Sequence, residues 1–482
     1  MEKDLNMCYP MLLILQKVLG FSGSVSALAS FVMVFAVPQF CMAQRVLNKI
    51  AGDHPNRLQE HSEQVATPPV KDGLPTIRFT EHLIMKDYVY PFGIWSGDLD
   101  GDGDVDLTST DACFPGDMHD YPTGSGVHHP YHLAPGREDC CDQHNNIYWF
   151  ENDGSGGFTR RFIQRNEPDP PSMRGHDFER HTVGDINGDG YPDVVTVMNK
   201  HGELLWFENS GNPKSGKLWK RHLITTAPDH AGKLPYAYDV TLADLDSDGD
   251  LDVAASSWRG NEFTWFENQG TQWKKRVITS TDETRTMRAV DFDRDGDTDL
   301  LGTVRDRDGL VLWFENSGKP ASHPWKPHVI DHAPWPVHGH PVDMDGDGDQ
   351  DVVMVLGYAA EERESQVVWY ENVGGNSKII WNKHIIREPF PDALEAAAAD
   401  MDGDGNIEVV ASAYDVGRIA WFEHDGDPRG TWTMHILKDN WRRCSQVILV
   451  DLDGDRDLDV ASVADRPSRE FRWWRNDGRL EE

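Results

Sequence analysis

The sequence predicts an all-β chain folded as a seven-bladed β-propeller, and three observations lead there. An acidic nine-residue pattern, fullest in DMDGDGDQD from Asp343 to Asp351, occurs seven times in 482 residues. Each copy follows a short apolar segment and precedes a β-branched run such as DVVTVM, DVAASS or DVVMVL. A strand with an aromatic pair comes next: YWFEN, LWFEN, TWFEN, LWFEN, VWYEN, AWFEH and RWWRN. A last strand follows a Gly/Asn turn, as in WKRHLI, WKKRVI, WKPHVI, WNKHII and WTMHIL. Four short strands per unit, repeated seven times with turn signals between them, describe propeller blades.

The acidic copies begin at Asp98, Asp185, Asp244, Asp291, Asp343, Asp400 and Asp451. Acids or Asn at positions one, three, five and nine give the candidate ligands. These are Asp98, Asp100, Asp102 and Asp106; Asp185, Asn187, Asp189 and Asp193; Asp244, Asp246, Asp248 and Asp252; and Asp291, Asp293, Asp295 and Asp299. The remaining sets are Asp343, Asp345, Asp347 and Asp351; Asp400, Asp402, Asp404 and Glu408; and Asp451, Asp453, Asp455 and Asp459. Gly fills position six except in the last copy, where Arg456 stands. Two carboxylates ~4 Å apart repel by about 1 kcal/mol in water and by several times more where water is excluded. A hard cation relieves this, and carboxylate and carbonyl oxygens are what Ca²⁺ takes. Ca²⁺ is therefore the predicted cofactor. An EF-hand opens with the same spacing but needs a bidentate Glu at position twelve and flanking helices. Position twelve here is Ser109, Thr196, Ala255, Gly302, Met354, Ala411 or Ser462, amid strand-like sequence. That motif is excluded.

Taken in order, residues 1–43 read as an export signal. The apolar run from Ala27 to Val37 leads to Pro38 and a small-residue site ending at Ala43. The run is shorter than the ~20 residues a spanning helix needs, so no span is expected in the mature chain. Residues 44–75, polar with Pro68, Pro69 and Pro75, read as a flexible leader, and 76–478 as the propeller. The last repeat stops after its third strand, at Asn476, while an orphan fourth strand, Thr76 to Ile84, precedes the first acidic loop. Pairing the two would complete blade seven and leave no open sheet edge.

The formal net charge is −35, but 32 of the 81 acidic residues sit inside the seven loops, so much of the acidity is ligand. What remains argues against a nucleic-acid partner, which needs clustered Lys and Arg. A composition with 38% hydrophobic residues, 17 Trp and 19 Phe can build a large core and excludes disorder.

With acidic loops of the form D-x-D-x-D-G-x-x-D and the W-F-E-N strands, the chain resembles the FG-GAP/VCBS repeats of integrin-α-type seven-bladed propellers over about residues 76–478. The resemblance implies an extracellular, Ca²⁺-stabilised propeller used for adhesion, glycan binding or glycan chemistry, and does not choose among them. Glu408 at position nine of the sixth copy and Arg456 at position six of the seventh depart from the pattern.

Features that repeat are expected to be structural. The seven Trp–aromatic pairs should pack between blades. His82, His222, His328, His384 and His435, with Arg161 and Arg276, share one slot of the outer strand. Function should lie where repeats differ, in the segments leading into each blade, at the face opposite the acidic loops. These carry Glu179, Arg180 and His181; Tyr238 and Asp239; Arg285 and Arg288; His338 and His340; Glu395; and Arg442 and Arg443. Such a ring suits a polar or anionic ligand such as a sugar acid, or forms a solvated funnel with internal ion pairs. An insertion from Thr108 to Asn145, with five His and interspersed Asp (His119, His128, His129, His132 and His144 among them), should overhang the same mouth as a lid or recognition loop. Cys113, Cys140, Cys141 and Cys444 predict at least one disulfide, with a link from the insertion to Cys444 a candidate.

Besides a purely structural or adhesive module, two functional classes follow. One is a secreted, periplasmic or cell-surface, non-catalytic propeller binding an extracellular ligand such as carbohydrate. The alternative is a sugar or polysaccharide lyase or dehydratase acting by proton abstraction, as some propellers of this superfamily do. Its cast would be a base among His181, His338 and His340, an Arg clamp among Arg180, Arg285 and Arg288, and Asp239 or Glu395 as carboxylate.

Overall fold

The computed structural model describes residues 71–72, 77–88, 90–112, 146–165, 178–199, 202–225, 233–358, 364–374 and 379–479, all within one unit, Ala66–Glu482. Seven antiparallel sheets form the blades of a propeller, each four strands deep. The innermost strands are Pro91–Gly97, Phe178–Gly184, Ala237–Ala243, Thr284–Val290, Pro336–Val342, Ala393–Ala399 and Cys444–Val450. The expected closure is present. Ile77–Lys86 forms the outer strand of blade seven, antiparallel to Glu470–Arg479, the third strand of that blade. Lys71–Asp72, from the expected leader, adds a short parallel bridge to the outer strand Trp432–Lys438 of blade six.

The aromatic pairs explain how blades stack. Successive strand residues point to opposite faces of a sheet, so the Trp of each pair and its neighbour serve different interfaces. Trp149, Trp206, Trp265, Trp313, Trp369 and Trp421 pack toward the following blade; Phe150, Phe207, Phe266, Phe314, Tyr370 and Phe422 pack toward the preceding one. Blade seven keeps the same order, with Trp473 facing blade one and Trp474 facing blade six. Each of the seven hydrophobic clusters therefore lies between two blades.

The outer-strand His/Arg slot is also accounted for. His222, His328 and His384 stack on Trp206, Trp313 and Trp369 with ring centroids 4.0–4.5 Å apart, and each bonds the Glu of its blade's W-F-E motif. Arg161 and Arg276 make the same contact through their guanidinium groups, over Trp149 and Trp265. These side chains brace the blade edge and carry no unique chemistry.

Antiparallel pairing fixes two faces. Val342 pairs with Asp351 beside the acidic loop, and Pro336 with Leu356 at the other end of the same strands. The acidic loops and the turns between third and fourth strands share one face; the lead-in segments and the links between second and third strands share the mouth.

Candidate functional site

The acidic face is built the same way seven times. The position-six residue has a positive φ, from 89° to 95° in the six glycines and 80° in Arg456, and its N–H donates to the position-one carboxylate at 2.7–3.1 Å. Arg456 thus adopts the turn that Gly would adopt without steric cost. Position nine anchors the loop. Asp106 Oδ2 accepts the Leu99 N–H at 3.0 Å, and its Oδ1 accepts the Asn152 N–H at 2.8 Å. Asn152 in turn donates its side-chain amide to Leu452 O of the preceding blade at 2.8 Å. Asn209, Asn268, Asn316, Asn372 and Asn476 repeat that bridge. The sequence reading missed this role; the final letter of W-F-E-N, always three residues after the Trp, was the signal. Blade six departs at both ends of the pairing, with Glu408 and His424 in place of Asp and Asn.

Whether these loops fit Ca²⁺ can be tested on their geometry. Oxygens of Asp98, Asp100 and Asp106, and of the first three acids of the loops at Asp244, Asp291, Asp343 and Asp400, converge within 4.8 Å of one another. One ion with Ca–O distances of about 2.3–2.6 Å spans such a gap. Asp246 Oδ1, Asp291 Oδ1, Asp343 Oδ1 and Asp453 Oδ1 are buried with no hydrogen-bond partner. Burial, then neighbouring carboxylates, push Asp246, Asp293 and Asp453 above the usual range. Hard oxygen donors, converging and short of partners, fit the ion; it would supply charge neutralisation and a rigid turn.

The central channel collects the polar lead-in residues. Arg180 of blade two forms a two-pronged ion pair across the channel with Glu395 of blade six, Nη1–Oε1 3.1 Å and Nη2–Oε2 2.5 Å. His340 Nε2 lies 3.2 Å from Glu395 Oε1, and Arg288 pairs with Asp239 at 2.5 Å. Burial would raise Glu395, but Arg180 and His340 hold it well below the carboxylate range. Burial and then Arg180 lower His338, burial and then Arg288 lower His340, and burial with Arg180 takes His181 to about 3. His181 Nε2 contacts Thr108 Oγ1 at 2.7 Å, and Gly93 gives it room: a Cβ there would meet His181 Nδ1 at 2.8 Å. Arg180, Glu395 and His338 are at most 1% exposed. Of the expected funnel with internal ion pairs, the pairs are present, Arg180 with Glu395 and Arg288 with Asp239, but the groups that make them form a buried strut and are not solvated, because they come from different blades and meet inside the ring.

Above the strut, the mouth of blades three to seven is lined by aromatic and guanidinium groups. Arg285 lies 4.8 Å from the Tyr238 ring and 5.0 Å from Trp258; Arg259 lies 4.8 Å from Tyr236 and 4.5 Å from Trp258. Arg305 sits 5.7 Å from both Trp335 and Tyr358, and Tyr358 meets Tyr414 edge-on. Tyr238 stacks on His338 at 5.4 Å. Arg285 and Arg305 share Glu283, at 2.8 and 3.3 Å. Arg443 pairs with Asp465 at 3.2 Å, and Arg442 is exposed at the rim. Of these aromatics only Tyr238 was singled out in the sequence, since the others stand just outside the strands.

Two expectations are corrected. The second strand of blade one runs through Asp106–Asp111, so Thr108 belongs to it and the insertion starts at Ala112. Asp111 pairs with Asn146 at the mouth end, which roots the insertion at that face; residues 113–145, with their His and three Cys, lie outside the described residues. Cys444 is a free, buried thiol that donates to Ala413 O and Arg418 O of blade six at 3.3 Å. The link to the insertion is not made there, because the thiol turns away from blade one.

Among the described residues no helix is long and apolar enough to cross a membrane. A comparison with curated proteins finds no match. Solved structures with a similar fold include a lectin of Agrocybe aegerita described as specifically recognising non-reducing terminal N-acetylglucosamine. It is 14% identical, with TM-score 0.45, over 68% of this chain and 87% of that one. Two structures of BBS1N in complex with ARL6DN, soaked with mercury or lead, are 10% and 11% identical with TM-scores 0.47 and 0.44; each match covers 84% of this chain and 97% of that one. The FG-GAP-like repeat model matches residues 185–255, 244–302, 291–354, 343–411 and 400–462. Each match runs from the first residue of one acidic loop to position twelve of the next, and together they take in more than half of the sequence. The chain belongs to the FG-GAP-like repeat family.

Proposed function

We propose that this protein is an exported, calcium-stabilised propeller that binds an extracellular carbohydrate at the mouth opposite its acidic loops. One observation carries the ligand reading. Tyr236, Glu283, Trp335, Asp392 and Arg443, each immediately before an innermost strand, have φ of 49–64°. The backbone requires this turn, since each of their carbonyls accepts the N–H of a residue just past the second strand at 2.8–3.2 Å. Glycine would adopt it freely, whereas an L side chain costs about 1 kcal/mol or more. Large aromatic and charged residues at five such positions around one opening are held against backbone preference, and strain of that kind marks functional surfaces. Aromatic faces offer amphipathic contact area for sugar rings, and guanidinium groups offer planar donors for hydroxyls and carboxylates. The lyase or dehydratase reading has less support. Arg180 and Glu395 are paired to each other, His338 contacts Tyr238 and Thr286, and all three are buried, leaving His340 as the partly exposed base.

A panel of neutral and uronic-acid glycans, read by calorimetry, tests the reading. Trp335→Ala and Trp258→Ala should each weaken binding on the order of tenfold or more, with melting temperature unchanged. A panel without binders, or binding indifferent to both substitutions, would overturn it.

A further inference from the structure

We propose that three of the seven acidic loops carry their own cation, so that Ca²⁺ binds this propeller in two classes, latched and open. The inference rests on reading the loops as calcium sites and concerns which of them Ca²⁺ must share.

In loops one, five and six, the following blade sends a basic side chain back onto the acids. Lys214, in the turn between the third and fourth strands of blade two, places Nζ 2.7 Å from Asp100 Oδ2, 3.1 Å from Asp102 Oδ2 and 2.9 Å from Glu151 Oε1. Arg429, in the same turn of blade six, grips Asp345 and Glu371. Arg479, at the end of the third strand of blade seven, lies 2.6 Å from Asp402 Oδ2 through Nε and also pairs with Asp404. The contact is the same each time, since Asp100, Asp345 and Asp402 are all position three of their loops. Their side chains are only 2%, 4% and 2% exposed. Loop five receives a second guanidinium, Arg294 from loop four, on Asp349.

In loops two, three, four and seven no basic side chain among the described residues makes such a pair. Buried oxygens without a hydrogen-bond partner occur in both classes, Asp246 Oδ1, Asp291 Oδ1 and Asp453 Oδ1 in open loops and Asp100 Oδ1 and Asp343 Oδ1 in latched ones, so the ion pair alone separates them. Lys319 occupies the corresponding turn of blade four and makes no ion pair with loop three.

A divalent ion entering loops one, five or six has to displace an ammonium or guanidinium that already neutralises position three. It also has to break an inter-blade ion pair. Each latch does part of the ion's work, joining blade n+1 to loop n in its absence. Ca²⁺ affinity in the latched loops is lowered accordingly, and dependence on Ca²⁺ is concentrated in the open ones.

The test compares the whole protein with Lys214→Met/Arg429→Met/Arg479→Met by ⁴⁵Ca²⁺ equilibrium dialysis and by melting with and without chelator. Three sites should gain affinity on the order of tenfold, the effect of about 1.4 kcal/mol. The melting temperature should fall in chelator and hold in saturating Ca²⁺, a pair of signs that general misfolding would not give. Lys319→Met should change neither. An unaltered isotherm with normal Ca²⁺ stoichiometry would overturn the latch while leaving the calcium sites standing. Absence of Ca²⁺ binding in both proteins would overturn the calcium reading itself.

Discussion

The two faces of this propeller obey opposite rules. On the acidic face a few backbone contacts recur seven times with near-identical distances, so any one loop explains the backbone of the others. On the mouth face the backbone turn recurs but the side chains do not. Tyr, Glu, Trp, Asp and Arg occupy equivalent left-handed positions. Repetition marks what the ring needs in order to close; variation on a fixed backbone marks what it presents to something else. The buried strut between Arg180 and Glu395 lies between the two regimes, unique in sequence yet structural in its surroundings.

The comparison can be broken most forcefully at the acidic face. Chelation should lower the melting temperature of the whole domain, because each loop filled at a hundredfold excess over its Kd contributes about 2.7 kcal/mol. Scanning calorimetry with and without EGTA checks this. Equal traces would mean that the loops hold themselves.

The strut comes next. Arg180→Met alone should cost about 3–5 kcal/mol by stranding Glu395 in a dry channel, and Arg180→Met/Glu395→Met should recover most of that. Denaturant unfolding reads the stability. If the double variant stays folded but loses its glycan, the strut belongs to the mouth and the division between faces is wrong.

Acidity sharpens the contrast further. Without a cation, burial pushes Asp106, Asp193, Asp252, Asp351 and Asp459 up to about 7, and Asp299 and Glu408 to about 8. Unfolded, such carboxyls titrate near ~4. Between these values the folded chain holds the more protons, so its stability falls as pH rises from about 4 through 7. Ca²⁺ should suppress that slope, since it binds the deprotonated loops. Melting curves at pH 5 and pH 8, with and without Ca²⁺, would expose the difference, and a Ca²⁺-free protein more stable at pH 8 would contradict it.

Smallest is Arg456→Gly, which should add about 1 kcal/mol by relieving the left-handed turn at φ 80°. No gain in the denaturation midpoint would mean that the Arg456 side chain repays its own strain.

The ring, its closure and the ligand positions of the loops were legible because each is written several times over. A period of about fifty residues, an alternating aromatic pair and an orphan strand leave little freedom once sheet edges must be paired. The mouth was legible only as a set of polar residues. Sequence placed Arg180, Asp239, Arg288, His338, His340 and Glu395 in one channel, but whether they face water or each other depends on distances across the ring. Charge balance between blades two and six, and between three and four, decided that. Trp258, Trp335 and Tyr358 escaped notice because they stand one or two residues beyond strands whose ends local sequence does not fix. The latches escaped for a related reason, since Lys214 and Asp100 are 114 positions apart and meet only through the curvature of the ring.

Closure by the two flanks also sets the order of assembly. Thr80 Oγ1 donates to Asp477 Oδ2 at 2.5 Å across 397 positions of sequence. During synthesis the strand from Ile77 must wait, unmatched, until nearly all of the remaining blades have emerged from the ribosome. The circle is sealed in one late event, and a rearranged gene that began between two blades would replace that wait with an ordinary hairpin.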